Sequence, residues 1–209
     1  MPENGLRVYH LAVVDENILG PGRRVAVWTA GCPFHCAGCI EVPLQSFHAG
    51  KLVETGELLE RIAPHLRVLR AITFSGGEPL AQPDPMIEIL EELRHGEVDV
   101  MLYTGMSSRR FLRDYRKFHP YIDLCVTEPF LKRLHGDHLW RGSSNQRLLS
   151  PSGKYTARQL AAWRQAPGSG VQLHLDDRFC HTYGIPAPGI LEALHRNLTS
   201  QGIRLDPLY

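Results

Sequence analysis

The sequence predicts an α/β fold, a parallel sheet with helices on its outside. Two observations predict it. Apolar runs of strand length alternate with segments whose apolar residues recur at helical spacing, and that order favours parallel strands joined by crossover helices. The chain has 209 residues, 43% hydrophobic and 22% charged, enough to bury a real core in one domain or one domain with an appendage.

Val25-Ala26-Val27-Trp28-Thr29 reads as a buried strand running into a cysteine-rich loop. Thr55 is placed to cap a helix through about Ile62, with Leu58, Leu59 and Ile62 on one face. Ala71 to Phe74 reads as a second strand, ending in Ser75-Gly76-Gly77. Met86, Ile89, Leu90 and Leu93 then recur at helical spacing, with Gly96 placed to stop that helix. Val98 to Tyr103 is a third strand, and Ser107 or Ser108 opens a basic helix through about Phe118. Ile122 to Val126 is a fourth strand.

From Leu148 the text changes. Pro151-Ser152-Gly153 reads as a turn or linker, Thr156 to Gln165 as a helix, and Val171 to Leu175 as a strand. Pro188 stands at the start of a final amphipathic helix carrying Ile190, Leu191, Leu194 and Leu198, stopped near Gly202. This tail is expected as a further βα layer on the same sheet.

Lys and Arg total 23 against 22 Asp and Glu, a formal charge of +1. So balanced a chain carries no compositional footprint for nucleic acid. No apolar run approaches the roughly 20 residues that span a bilayer, so no membrane partner is expected. Met1-Pro2-Glu3-Asn4-Gly5 lacks the basic and apolar regions of a secretory signal, which predicts a cytoplasmic protein.

Five cysteines are present, and three fall within eight residues: Cys32-Pro-Phe-His-Cys36-Ala-Gly-Cys39. A secreted disulfide scaffold spreads its cysteines more evenly, so this cluster points to a metal. Three thiolates at this spacing can cap three irons of a cubane and leave the fourth open to a ligand's nitrogen and oxygen atoms. A structural zinc site, completed by His35 or a distant histidine in an interaction module, is the competing reading. Cys125, in an expected buried strand, and Cys180 are no obvious fourth ligands.

The C-x3-C-x2-C spacing, standing in the loop after the first strand, resembles the cluster motif of the radical S-adenosylmethionine (SAM) superfamily. That resemblance implies a partial (β/α) barrel and a [4Fe-4S] cluster on Cys32, Cys36 and Cys39. It also implies one-electron cleavage of SAM to methionine and a 5′-deoxyadenosyl radical. Thr73-Phe74-Ser75-Gly76-Gly77-Glu78-Pro79 supports it, because the superfamily's Gly-Gly-Glu contacts the methionine amine of SAM. Adjacent glycines let backbone approach a ligand closely, and parallel sheets bind ligands at strand ends. Cofactor contacts are accordingly expected at Gly38, Ser75, Gly76, Gly77, Glu78, Thr104 and Glu128.

Further stretches resemble the activating enzymes of anaerobic ribonucleotide reductases: Gly20-Pro21-Gly22-Arg23-Arg24, Tyr103-Thr104-Gly105 and, most specifically, Arg141-Gly142-Ser143-Ser144-Asn145-Gln146-Arg147. The resemblance implies a glycyl-radical partner enzyme and a reducing partner such as flavodoxin or ferredoxin. Arg109, Arg110, Arg113, Arg116 and Lys117 are either a solvated face or a dock for such an acidic donor. Two departures stand out within the matched region, and the residues after Leu149 are a third, since those activating enzymes are short. The carboxylate expected one position earlier falls at Glu128, and Ile40 stands where the family commonly has an aromatic.

The resemblance implies a division into residues 1–150, an expected radical SAM-type core with its cluster loop at 31–40, and residues 151–209, expected as a C-terminal βα extension packed on it. The activase-like reading is slightly favoured. A tail that closes the cleft beside Cys39 and Gly77, through Cys180, His181 or Tyr183, favours direct action on a small molecule or peptide instead. His135 and His138 flank a polar Gly136-Asp137 loop that reads as solvated rather than metal-binding.

Overall fold

A computed structural model describes residues 5–168, 170–175 and 180–202 of the chain. The readings of Met1 to Asn4 and of residues 203–209 lie outside the described residues. The strands are β1 (Gly5–Val14), β2 (Arg24–Thr29), β3 (Lys51–Glu54), β4 (Ala71–Gly76), β5 (Asp99–Tyr103) and β6 (Leu124–Thr127). After them come β7 (His135–His138), β8 (Arg141–Ser143), β9 (Arg147–Leu149), β10 (Val171–Leu175) and β11 (Cys180–Gly184). The α-helices are α1 (Thr55–Leu69), α2 (Pro83–His95), α3 (Ser108–Asp114), α4 (Ala157–Gln165) and α5 (Ile190–Ser200).

Seven strands form one open sheet in the order β3-β1-β2-β4-β5-β6-β9. Its centre, β2-β4-β5-β6, is parallel, as the strand–helix order predicts. Its flanks are antiparallel: β1 on β2, β3 on β1, and β9 on β6. The sheet is therefore mixed, because the connections flanking the parallel centre return without a crossover helix.

Period-two alternation sorts the central strands between two faces. Val25, Val27, Ile72, Phe74, Val100 and Leu102 join the core that α1 and α2 cover with Leu58, Ile62, Met86, Ile89 and Leu90. Ala26, Trp28, Met101, Leu124 and Val126 face the other way, into two smaller clusters. The tail reaches that second face. Trp163 of α4 packs edge-on to Trp140 and Tyr155, and Tyr183 of β11 packs on Trp28.

Several helix ends differ from expectation. Thr55 is the first residue of α1 rather than its cap, and its hydroxyl donates to Glu88 instead (2.8 Å). That helix runs on through Pro64 to Leu69, where Arg70 takes a left-handed C-cap. Its inward stripe of Leu58, Ile62 and Leu66 keeps burying apolar surface past Ile62. The basic helix opens on Ser107, which accepts from the Arg110 N–H, but it ends at Asp114 and continues only as a 3-10 segment, Arg116–Tyr121, around Pro120. Thr156 forms a capping box with Gln159 as expected. The tail's strand does not extend the main sheet. It pairs with β11 in a separate hairpin, because β9 already holds the edge that β6 would offer.

At the end of the sheet where the parallel strands begin, Arg24 is wholly buried, with Nη2 2.5 Å from Asp99 Oδ1. Lys154 Nζ (2.7 Å) and the Tyr155 hydroxyl (2.6 Å) meet the other Asp99 oxygen. Arg24 also donates to Thr73 Oγ1 (3.2 Å), tying β2, β4 and β5 together across the second face. No helix among the described residues is long and apolar enough to cross a membrane.

Removing Asp99 strands a buried guanidinium, so Asp99→Ala is expected to cost about 3–5 kcal/mol in urea unfolding. The double variant Arg24→Met/Asp99→Leu should lose less than that single change. Equal losses would mean that the pair contributes through packing rather than charge.

Candidate functional site

The parallel strands end together, and the candidate site lies at those ends. After Thr29 the chain runs through Gly31 into the cysteine loop. The loop is stitched to neighbouring backbone: Gly31 N donates to Leu44 O (2.8 Å), Cys32 N to Gln45 O (3.0 Å) and Cys39 N to Cys36 O (3.1 Å). Cys32, Cys36 and Cys39 are partly buried, are free of disulfides, and line one cavity of about 150 Å³ together with Ser75, Gly76 and Gly77. Burial pushes the Cys32 and Cys36 thiols up, while the N–H groups of Phe34 and His35 pull Cys32 down and that of Phe130 pulls Cys36 down. The Glu41 N–H donates to Cys39 Sγ (3.4 Å).

Three thiols on one cavity, each met by a backbone N–H, fit a cluster held by three protein ligands. Cys125 is fully buried in the core under the helices, and Cys180 lines a different cavity, so neither shares the wall of these three. Among the described residues no three His, Cys, Asp or Glu side chains, these three thiols included, converge closely enough to hold a single metal ion. His135 and His138 instead lie on β7, where His135 Nε2 is 3.0 Å from the Pro186 carbonyl.

The Gly-Gly-Glu segment packs directly on this loop. Gly77 N donates to Thr29 O and Glu78 N to Gly31 O, both at 2.8 Å. A Cβ on Gly77 would sit 2.6 Å from the Gly31 oxygen and 2.8 Å from that of Leu44. One on Gly76, whose φ is +100°, would sit 2.4 Å from the Thr29 oxygen. Glycine is required here by backbone meeting backbone, and the same two residues line the cavity.

Glu78 is 0% exposed and does not line that cavity. One carboxylate oxygen accepts from Leu80 N (3.0 Å), the other from Thr104 Oγ1 (3.0 Å) and Gly105 N (2.8 Å). It ties the end of β4 to the end of β5. Burial raises its pKa to about 7 against those three donors. Thr104 and Gly105 themselves line the cavity, which explains why Tyr103-Thr104-Gly105 carries a sequence signal.

Glu128 also lines the cavity and has a left-handed backbone (φ 79°). Its side chain accepts from Ser108 N (2.9 Å) at the start of α3. The Arg141-to-Arg147 stretch clamps this loop. Gln146 Oε1 accepts from Gly142 N (2.7 Å), while Gln146 Nε2 donates to Glu128 O (3.2 Å) and Asn145 Nδ2 to Pro129 O (2.8 Å). Gly38 lines a second cavity of about 150 Å³, which shares Cys39, Ser75, Tyr103 and Gln146 with the first. Thr182, Gly184, Ile185 and Pro186 of the tail wall this second cavity. Cys180, His181 and Tyr183, expected to close the cleft beside Cys39 and Gly77, instead line a separate cavity, and no tail residue lines the one that holds the three cysteines.

Of the residues expected at the site, Cys32, Cys36, Cys39, Ser75, Gly76, Gly77, Thr104 and Glu128 share one cavity; Gly38 stands beside it and Glu78 behind it. Sequence reasoning missed Tyr103, Gln146 and Glu41 as wall residues. The first two lie inside stretches that carry a signal, whereas Glu41 carries none beyond its place two after Cys39. Its carboxyl is raised to about 7 by burial, with the Trp28 indole pulling it down.

The family model described as "4Fe-4S single cluster domain" matches residues 18–149. The anaerobic ribonucleoside-triphosphate reductase-activating protein of Enterobacteria phage T4 is 32% identical over 140 residues, covering 63% of this chain and 86% of that protein. The 7-carboxy-7-deazaguanine synthase of Methanothermobacter thermautotrophicus is 29% identical over 182 residues, 85% of this chain and 68% of that one. The crystal structure of QueE from Escherichia coli overlaps with a TM-score of 0.39 at 13% identity, over 49% of this chain and 54% of that chain.

Because folding raises the Glu78 pKa from 4.5 to about 7, the folded chain holds a proton that the unfolded chain releases. The resulting stability is complete below about pH 4.5 and is lost as the pH rises through about 7. Relative to Glu78→Gln, the wild type should lose up to about 3 kcal/mol over that window in urea unfolding. Parallel pH profiles for the two proteins would place the ionised carboxylate in the folded chain throughout.

Proposed function

The chain belongs to the 4Fe-4S single cluster domain family of radical SAM enzymes, and we propose that it acts directly on a small molecule or peptide. When bound, the [4Fe-4S] cluster and SAM supply one-electron cleavage to methionine and a 5′-deoxyadenosyl radical, which takes a hydrogen atom from the substrate. The chain's own residues do the rest. Cys32, Cys36 and Cys39 hold the cluster. The Gly76-Gly77 backbone and Ser75 receive SAM, with Glu78 acting behind them as a positioning residue. Glu128 and Gln146 line the far wall.

The observation that supports direct action is the wall beside Cys39, built by Thr182, Gly184, Ile185 and Pro186. The tail that carries it is tied down at separate points: Asp15 N donates to Gln172 Oε1 (2.9 Å), His10 Nε2 lies 2.8 Å from the Tyr183 hydroxyl, and His135 meets Pro186. A tail wall at this point leaves less room for a protein loop beside Cys39. The similarity of the core to reductase-activating proteins supports a second reading, radical generation on a glycyl-radical partner. In either case an acidic one-electron donor docks on the exposed Arg109, Arg116 and Lys117, since Arg110 and Arg113 already face Asp114.

Anaerobic reconstitution should yield a brown protein with about four irons per chain. Alanine at Cys32, Cys36 or Cys39 should abolish the cluster, while Cys125→Ala and Cys180→Ala keep it. Stoichiometric zinc with no cluster sinks this assignment. With dithionite and SAM, a deproteinised small-molecule extract should raise 5′-deoxyadenosine release at least about tenfold, a barrier change of roughly 1.4 kcal/mol. Stimulation only by a protein fraction, with a glycyl-radical signal in electron paramagnetic resonance, would instead establish the activase reading.

A further inference from the structure

A larger cavity of about 640 Å³ lies between β1, β2 and β11, and its walls are mostly rings: Tyr9, His10, Trp28, His181 and Tyr183. His10, His181 and Tyr183 lie nearly parallel, with interplanar angles of 11°, 22° and 14° and centroids 5.1, 5.6 and 6.1 Å apart. Trp28 packs on Tyr183 at 5.2 Å. Burial, with His181 and His174 nearby, lowers the His10 pKa, which keeps that ring neutral at ordinary pH.

Glu41 lines this cavity and both cavities at the cysteine loop, so it stands where the three meet. The Trp28 indole N–H is directed to its carboxylate. Among the described residues no Lys, Arg or His forms an ion pair with it. A half-buried carboxylate on a cavity wall offers acceptors to a ligand that brings N–H groups and a positive charge. Electron-rich ring faces, Trp above all, attract the same charge, and near-parallel rings favour a flat group.

We propose that this cavity binds a flat organic cation, its N–H groups on the Glu41 carboxylate and its face against the rings of Trp28, Tyr183, His10 and His181. The inference rests on the reading that the chain acts directly on a small molecule or peptide, and it names the chemistry by which that substrate is recognised. Glu41 is then the specificity residue, holding the cationic end while the remainder of the substrate reaches past it towards Cys39.

Three probes of one shape and different charge test this: benzamidine, benzamide and benzoate, titrated calorimetrically into reconstituted protein with SAM under anaerobic conditions. Benzamidine should bind at least about tenfold more tightly than benzamide, and benzoate most weakly. Glu41→Gln should bring benzamidine to within about twofold of benzamide at unchanged iron content. Glu57→Gln, which alters an exposed carboxylate of α1 away from every cavity described, should leave the preference intact. Should Glu41→Gln lose iron, Tyr9→Ala replaces it, since that side chain is 48% exposed. It should weaken benzamidine about threefold. Equal binding of benzamidine and benzamide, binding of no probe, a preference that survives Glu41→Gln or disappears in Glu57→Gln, or an unaffected Tyr9→Ala would overturn the proposal. The 5′-deoxyadenosine assay on the same preparations separates the two failures. Extract-stimulated release without a cation preference removes only the cation, whereas a cation preference without stimulated release removes only direct action.

Discussion

Backbone pressed on backbone at the ends of β2 and β4 is the constraint on which the site depends. Gly77 and Glu78 donate to Thr29 and Gly31, and no side chain fits at Gly76 or Gly77 without displacing a carbonyl. Because the cysteine loop leaves β2 at that contact, its three thiols are positioned by the glycines as much as by their own spacing. Glu78 extends the constraint sideways. With both oxygens occupied by donors from Leu80, Thr104 and Gly105, it holds the β5 end at a fixed distance from the β4 end. A carboxylate buried this deeply is a costly brace, and its raised pKa is the measure of that cost.

The sheet's two faces divide the remaining work. The face under α1 and α2 is a continuous apolar core, where Leu and Ile on the helices meet Val, Ile and Phe on the strands. The opposite face is graded along the strands. Where the strands begin, Arg24, Asp99, Lys154 and Tyr155 close it with charge and hydrogen bonds. Where they end, Trp28, Ser75 and Tyr103 leave cavities. The tail covers this face in two pieces, α4 against Trp140 and Tyr155 and the hairpin against Trp28 and His10. Position along a strand therefore decides whether an inward-facing side chain braces the fold or borders the site.

Much of the fold is legible in the residues because local rules and packing agree there. The central strands are short, apolar and ended by glycine or polar residues, and α2 and α4 carry their own stop and start signals in Gly96 and Thr156. Strands β1 and β3 escape such reading. The first mixes buried and half-exposed positions without clean alternation, and the second is a four-residue edge strand with a single buried side chain. Ser107 caps where a helix was expected to run longer, because a cap marks a beginning and says nothing of the end.

The sequence alone determined the family, since three cysteines at C-x3-C-x2-C spacing followed by Gly-Gly-Glu one βα unit later form a pattern that is local along the chain. It determined the parallel heart of the sheet for the same reason: strand and helix periodicities are local. Tertiary structure decided what lies far apart in sequence. It set Glu78 behind the cavity rather than in its wall, turned the tail's strand into a separate hairpin, and brought Glu41, Trp28 and Tyr183 to one border. Those outcomes depend on which surfaces are left to bury once the seven-stranded sheet has formed, and no spacing within a single segment encodes that.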